Sequence, residues 1–191
     1  MILHGRQVPL YFIVRVGACF SFCLAALACA SSPYGYAQVY EPASGEANAA
    51  RDAQPFDPVM AQRNQRSWVG KRVSIFGVVK SVESAPQGGH FLQLSVRNLQ
   101  PRNLCSDSNE DTCRVTVTER QFTTLYGLVR LKPQYTAGPD AVRPGSLVRV
   151  IGAVSESPYK KSGGTVVESD FFRHWPAQTY VTTAARSYMR Q

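Results

Sequence analysis

The sequence has few of the side chains that most enzymes and metal sites use. It contains three histidines, His4, His90 and His174, and no spacing of cysteine and histidine in it suits zinc. The nucleophile motif G-x-S-x-G is also absent. We therefore predict that the protein is not an enzyme, that it has no catalytic residues, and that it uses no metal or other cofactor.

The N-terminal apolar stretch is too short to cross a membrane as a helix. The charge-free run VGACFSFCLAALA covers residues 16–28, whereas a spanning helix needs about 20 residues. Two arginines and no acidic residue precede this run. The pattern predicts an export signal peptide over residues 1–28.

Two kinds of signal processing fit the residues that follow. Ala26-Leu27-Ala28-Cys29 resembles the lipobox of bacterial lipoproteins, with Ala26 in the place of the usual leucine. On this interpretation Cys29 is lipidated and becomes the first residue of the mature chain. The absence of an aspartate after Cys29 then favours the outer membrane. Alternatively, the small residues Ala28 and Ala30 predict ordinary cleavage after Ala30 and a soluble periplasmic protein.

The cysteines are consistent with export in either case. Cys19 and Cys23 leave with the signal, and Cys29 is either lipidated or removed. Cys105 and Cys113 remain as a pair, and such pairs persist in oxidising compartments. We predict that these two cysteines form a disulfide.

Acidic residues are fewer than basic ones. The chain has 21 Lys and Arg against 13 Asp and Glu, a net charge of +8. Loss of Arg6 and Arg15 with the signal lowers this value to +6. A basic protein favours anionic partners such as nucleic acid, anionic lipid or polysaccharide, although a basic surface without any such role gives the same charge.

Composition divides the mature chain into three parts. Residues 29–64 are rich in Ala, Ser, Gly and Pro and show no sustained apolar period, which predicts a flexible tether. Residues 65–176 contain alternating apolar strands and form the predicted domain. Residues 177–191 are a C-terminal tail of unassigned structure.

Two decamers in the domain are similar, GKRVSIFGVV at 70–79 and GSLVRVIGAV at 145–154. Further strands are predicted near 90–96, 113–118 and 165–175, with a short helix possible over Arg120–Leu131. This order predicts an all-β, five-stranded OB-like barrel in which the two decamers are neighbouring strands. Gly77 and Gly152 would then allow a bulge or a tight bend.

Three basic residues are candidates for contact with a ligand. Lys160 and Lys161 fall in the predicted loop between the fourth and fifth barrel strands, where OB folds often bind ligands, and Arg114 lies on the outer face of the predicted third strand. A solvated hairpin tip explains the lysines equally. The outer faces of the second and third strands show one aromatic residue, so we do not expect nucleic acid to be the ligand.

A family resemblance rests on Trp68-Val69-Gly70-Lys71, the two decamers and His174-Trp175-Pro176. Over about 65–176 these features resemble the Slp-type outer-membrane lipoproteins of Gram-negative bacteria. The resemblance implies an OB-like barrel, a lipidated N-terminal cysteine and attachment to the outer membrane from the periplasmic side. It implies no particular activity.

The leading hypothesis is a non-enzymatic envelope lipoprotein whose N-terminal lipid inserts into the outer membrane. The second is a soluble periplasmic module that binds an anionic polysaccharide or nucleic acid. The third is a subunit of an envelope-spanning protein complex.

Overall fold

The computed structural model describes residues 39–86, 88–105 and 113–187. The helices and strands in chain order are α1 (Glu46–Ala50), β1 (Gln54–Pro55), α2 (Pro58–Arg63), β2 (Arg72–Ser84), β3 (His90–Arg97), β4 (Val115–Val117), β5 (Thr124–Val129), β6 (Leu147–Val154), β7 (Val166–Trp175) and β8 (Tyr180–Thr182). Short 3-10 helices cover Gln65–Trp68, Pro133–Tyr135 and Thr183–Ser187. Cys29 lies outside the described residues.

Five of the strands close into a barrel. Their order is β2-β3-β5-β7-β6, and β6 returns to pair with β2. All neighbours are antiparallel except β5 and β7, which are parallel. This topology is the five-stranded OB barrel, so the predicted fold is confirmed.

The two similar decamers are hydrogen-bonded neighbours in this barrel. β2 and β6 run antiparallel, with Ile75 opposite Val150 and Gly77 opposite Val148. The register between β6 and β7 shifts between Ile151 and Gly152, and a Cβ on Gly152 would overlap the backbone carbonyl of Glu168. The prediction of adjacent strands, with a bulge at Gly152, is therefore confirmed.

Alternation along the strands fills the barrel interior. Leu92, Leu94 and Val96 of β3 point inward and are at most 3% exposed, as their spacing predicted. They pack with inward residues of the other four strands: Val73, Ile75, Val79, Leu125, Val129, Val148, Val150, Val154 and Val167. The hydrophobic effect of burying these side chains stabilises the closed barrel.

The third barrel strand differs from the prediction. The possible helix over Arg120–Leu131 is instead strand β5, and Val115–Val117 forms a separate two-stranded sheet with β8. β5 is buried on both faces, because Leu125 points into the core and Tyr126 stacks on Tyr159 at 4.0 Å. A short run that is apolar on both faces does not distinguish strand from helix, which explains the error.

The N-terminal segment, residues 39–64, also differs from the prediction of a flexible tether. It contains α1, β1 and α2 and lies against the barrel, with Gln54 paired to Val73 in parallel. Asp57 caps α2 by accepting hydrogen bonds from the backbone N–H groups of Val59 and Met60. Phe56 packs edge-on against Trp68 at 5.3 Å. The cap is a local feature that Asp57-Pro58 signals in the sequence, but the contacts with Val73 and Trp68 are tertiary and composition does not reveal them.

The C-terminal residues form a cover at one side of the barrel. β8 pairs in parallel with β4, and the Tyr180 hydroxyl donates to the carbonyl of Gly145 at 2.9 Å. Beneath this sheet lies a second apolar cluster: Phe76, Val115, Val117, Leu147 and Trp175. Within the described ranges, no helix has the length and apolar character needed to cross a membrane.

Candidate binding groove and the Glu46 cluster beside it

An open groove lies along strand β2 where its pairing partners change. Along β2, Ser74 pairs with Pro55 of β1 and Phe76 pairs with Arg97 of β3. The pairing partner of β2 therefore changes at Ile75, which lies between them. The groove at this change of partner has a volume of about 770 Å³. Sites for small molecules commonly have volumes of ~300–1,000 Å³.

The walls of the groove are largely apolar. Phe76 and Leu99 come from the barrel, Phe56 and Val59 come from the N-terminal segment, and Phe122 lies between β4 and β5. Phe122 is 36% exposed and Val59 is 50% exposed, so both apolar side chains meet solvent at the rim. Exposed apolar side chains gathered around one concave site indicate a binding surface.

Arg97 supplies a charged group to the groove. It ends β3, and its Nη1 donates to the backbone carbonyl of Thr118 at 3.5 Å, which is a long hydrogen bond. Its Nε is buried and has no hydrogen-bond partner. Among the described residues, no carboxylate forms an ion pair with Arg97.

The Glu46 cluster lies beside the groove and consists of Tyr40, Glu46, Arg149 and Arg173. The Glu46 side chain is fully buried. It accepts hydrogen bonds from Arg149 Nη1 at 2.6 Å, from Arg173 Nη1 at 2.7 Å and from the Tyr40 hydroxyl. The cluster joins the N-terminal segment to strands β6 and β7. Arg149 also lines the groove, so the two sites share a wall.

Aromatic rings enclose the two guanidinium groups of the cluster. The Arg149 guanidinium carbon lies 5.0 Å from the centre of the Phe76 ring, and that of Arg173 lies 4.6 Å from the Trp175 ring. Contacts of this kind add cation–π attraction to the ion pairs and exclude water from them. The carboxylate of Glu46 is therefore fixed in one geometry.

This environment determines the protonation states in the cluster. Burial alone would raise the pKa of Glu46, but hydrogen bonds from Tyr40, the Ala43 N–H, Arg149 and Arg173 hold it below the ordinary value. Burial and the hydrogen bond to Glu46 raise the pKa of Tyr40. Glu46 is thus ionised and Tyr40 remains a hydrogen-bond donor at neutral pH.

The structure does not bring the three candidate basic residues to the groove. Lys161 pairs with Glu83, which also accepts a hydrogen bond from the Tyr159 hydroxyl at 2.8 Å, and Lys160 is exposed. Arg114 donates to the backbone carbonyl of Gln178 and so connects the strands of the cover. Lys161 and Arg114 stabilise local structure, and none of the three lines the groove.

The two retained cysteines are close together, as predicted. The sulfur atoms of Cys105 and Cys113 lie at disulfide-bonding distance. The acidic residues between them lie outside the described residues. Among the described residues, no group of three or more His, Cys, Asp or Glu side chains is placed to hold a metal ion.

Sequence reasoning did not identify Glu46, Arg97 or Phe122 as members of these sites. Arg97 had one local signal, because a basic residue follows the alternating strand HFLQLSV directly. Glu46 had none, because its partners Arg149 and Arg173 are more than 100 residues away. Such a cluster becomes visible only when the fold is known.

The strand order and the groove define the chain as an OB-barrel protein with a candidate ligand site. No protein family model matches the chain, and no curated protein matches it. Among solved structures it is similar to the mitochondrial single-stranded DNA binding protein Rim1 of S. cerevisiae. The identity is 14%, over 56% of this chain and 97% of that chain, with a TM-score of 0.28. At that score we take no functional argument from the similarity.

Proposed function

We propose that the protein is a non-enzymatic binding module of the bacterial cell envelope, anchored in the outer membrane through a lipid on Cys29. The observation that carries the binding role is the groove of about 770 Å³, with phenylalanine walls and Arg97. Concave apolar sites with a few polar groups are typical of ligand binding. The groove is built by the barrel and the folded N-terminal segment together.

The cysteines support the envelope location. Cys105 and Cys113 lie at bonding distance, and disulfides persist mainly in exported proteins. The charge-free run at 16–28 that ends at Ala28-Cys29 supports lipidation, and so does the resemblance to Slp-type lipoproteins.

Mass analysis of the mature N-terminus, combined with membrane fractionation, tests the anchor. We expect a lipid-modified Cys29, recovery with outer membranes, and release or blocked maturation of the Cys29→Ala variant. A mature chain that begins at Ser31 and is soluble in the periplasm would refute the anchor and leave the binding role intact.

A further inference from the structure

We propose that the groove binds an amphipathic anion, meaning a single carboxylate, sulfonate or phosphodiester group attached to an apolar body. This proposal rests on the binding role proposed above and names the ligand class for it. Arg97 receives the anionic group, and the walls formed by Phe56, Leu99 and Phe122 receive the apolar body.

The hydrogen-bonding state of Arg97 supports the anionic part of the ligand. A guanidinium has five N–H donors, and Arg97 uses one of them in a 3.5 Å contact with the Thr118 carbonyl. Its buried Nε has no partner. Nε itself is closed to solvent, but Nη2 is accessible and has no hydrogen-bond partner among the described residues, so a carboxylate, sulfonate or phosphodiester could accept a charge-assisted hydrogen bond from it.

Three other arginines of the described residues have carboxylate partners, whereas Arg114 and Arg143 donate to backbone carbonyls. Arg72 pairs with Asp170, and Arg149 and Arg173 both pair with Glu46. Arg97 borders a cavity and pairs with no carboxylate among the described residues. A ligand that carries the missing anion would complete the pattern.

The walls require the rest of the ligand to be apolar. A bare inorganic anion would leave Phe122 and Val59 in water, with 36% and 50% of their surfaces exposed. Covering apolar surface contributes roughly 25 cal/mol for each Å², so an apolar body adds affinity that the anion alone lacks.

A carboxylate in the groove lining limits the ligand to few negative charges. This carboxylate belongs to Asp57 and is held in place as the cap of α2. Arg149, the second cation of the groove, shares the single negative charge of Glu46 with Arg173, and its Nε and Nη1 already donate to Ser74 and Glu46. A polyanion would place further charges near Asp57, and the cations of the groove lining are Arg97 and the already engaged Arg149, so a monoanion fits better.

Two fluorescent probes that differ in one group test this proposal. Anilinonaphthalene sulfonate carries an anion on an aromatic body, and phenylnaphthylamine has the same rings without the sulfonate. Fluorescence titrations of the full mature protein should give tighter binding of the sulfonate. Arg97→Gln should weaken sulfonate binding about tenfold, the equivalent of one charge-assisted hydrogen bond, and leave the neutral probe unchanged.

Further variants make the result specific to the groove. Phe122→Ala should weaken the binding of both probes, because it removes a wall of the groove that both probes contact. Arg130→Gln removes an exposed arginine that does not line the groove, so both affinities should stay unchanged. Arg97→Lys keeps the charge and should retain most of the preference for the sulfonate.

The outcomes separate the two proposals. The ligand class is wrong if Arg97→Gln weakens the binding of both probes equally or of neither probe. It is also wrong if Arg97→Lys loses the preference for the sulfonate as fully as Arg97→Gln does. In both cases the groove remains a binding site. If neither probe binds, or if Phe122→Ala changes neither affinity, the groove is not a binding site and the proposed binding role fails with it.

Discussion

Arg149 and Arg97 both line the groove, but their surroundings differ. Arg149 donates to Glu46 at 2.6 Å and to the Ser74 hydroxyl at 3.0 Å, and the Phe76 ring covers it. Arg97 has one 3.5 Å contact and a buried Nε without a partner. Arg149 is therefore engaged at two of its nitrogens, whereas Arg97 keeps an accessible Nη2 without a partner among the described residues, and a ligand could occupy it.

The comparison also separates stability from binding. Proteins commonly lose stability at sites adapted for function, because such sites keep polar groups unsatisfied or apolar groups exposed. The Glu46 cluster has the opposite character, since it fixes the N-terminal segment that forms one wall of the groove. Substitutions in the Glu46 cluster should therefore lower stability, whereas substitution of Arg97 should lower ligand affinity with little change in stability.

The largest effect is expected for Glu46→Ala. This substitution removes one partner of a buried ion pair and leaves Arg149 and Arg173 uncompensated, which typically costs ~3–5 kcal/mol. Urea unfolding should show the loss in unfolding free energy, and limited proteolysis should cut within residues 39–64. Because this segment builds one wall of the groove, both probes should also bind more weakly.

Glu41→Ala is the matched control for that substitution. Glu41 belongs to the same segment and is exposed, and Arg173 contacts its backbone carbonyl but not its carboxylate. It should leave stability and protease resistance unchanged. Equal behaviour of the two alanine variants would show that the Glu46 cluster does not hold the segment.

A smaller loss is expected for Arg149→Gln. Glu46 would lose one charge-assisted hydrogen bond but keep those from Arg173 and Tyr40, so the cost should be about 2 kcal/mol. Equilibrium urea unfolding measures this value. A cost as large as that of Glu46→Ala would mean that Arg173 contributes nothing to the cluster.

The pH dependence of stability tests the same cluster without changing its packing. The folded-state pKa of Glu46 is depressed, so its contribution is fully present above the ordinary carboxyl value of 4.5 and is lost as the pH falls through the lower folded value. The stability difference between wild type and Glu46→Gln should therefore shrink between pH 6 and pH 3. The other carboxylates titrate in both proteins, so their contributions cancel in the difference between the two unfolding free energies. A difference that does not change with pH would contradict an ionised Glu46.

The sequence predicted the barrel because most of its strands carry their own alternation, whereas β5 is apolar on both faces and was predicted as a possible helix. Leu92, Leu94 and Val96 fall two residues apart, and Gly152 indicated the bulge in a run of apolar residues. The groove and the Glu46 cluster depend on contacts between distant segments, such as Arg97 with Thr118 and Glu46 with Arg149. No local pattern encodes those contacts, so composition alone suggested a flexible tether where the structure has a folded wall.

The smallest stability effect is expected for Arg97→Gln. Removal of this poorly satisfied guanidinium also removes a buried donor without a partner, so the unfolding free energy should change by less than ~0.5 kcal/mol or increase slightly. Urea unfolding beside Arg149→Gln makes the comparison direct, because the same substitution is made at two arginines of one groove. Arg130→Gln, at an exposed position, gives the baseline for loss of a surface charge. A loss at Arg97 as large as that at Arg149 would mean that Arg97 is structural, and it would remove the reason for assigning it to a ligand.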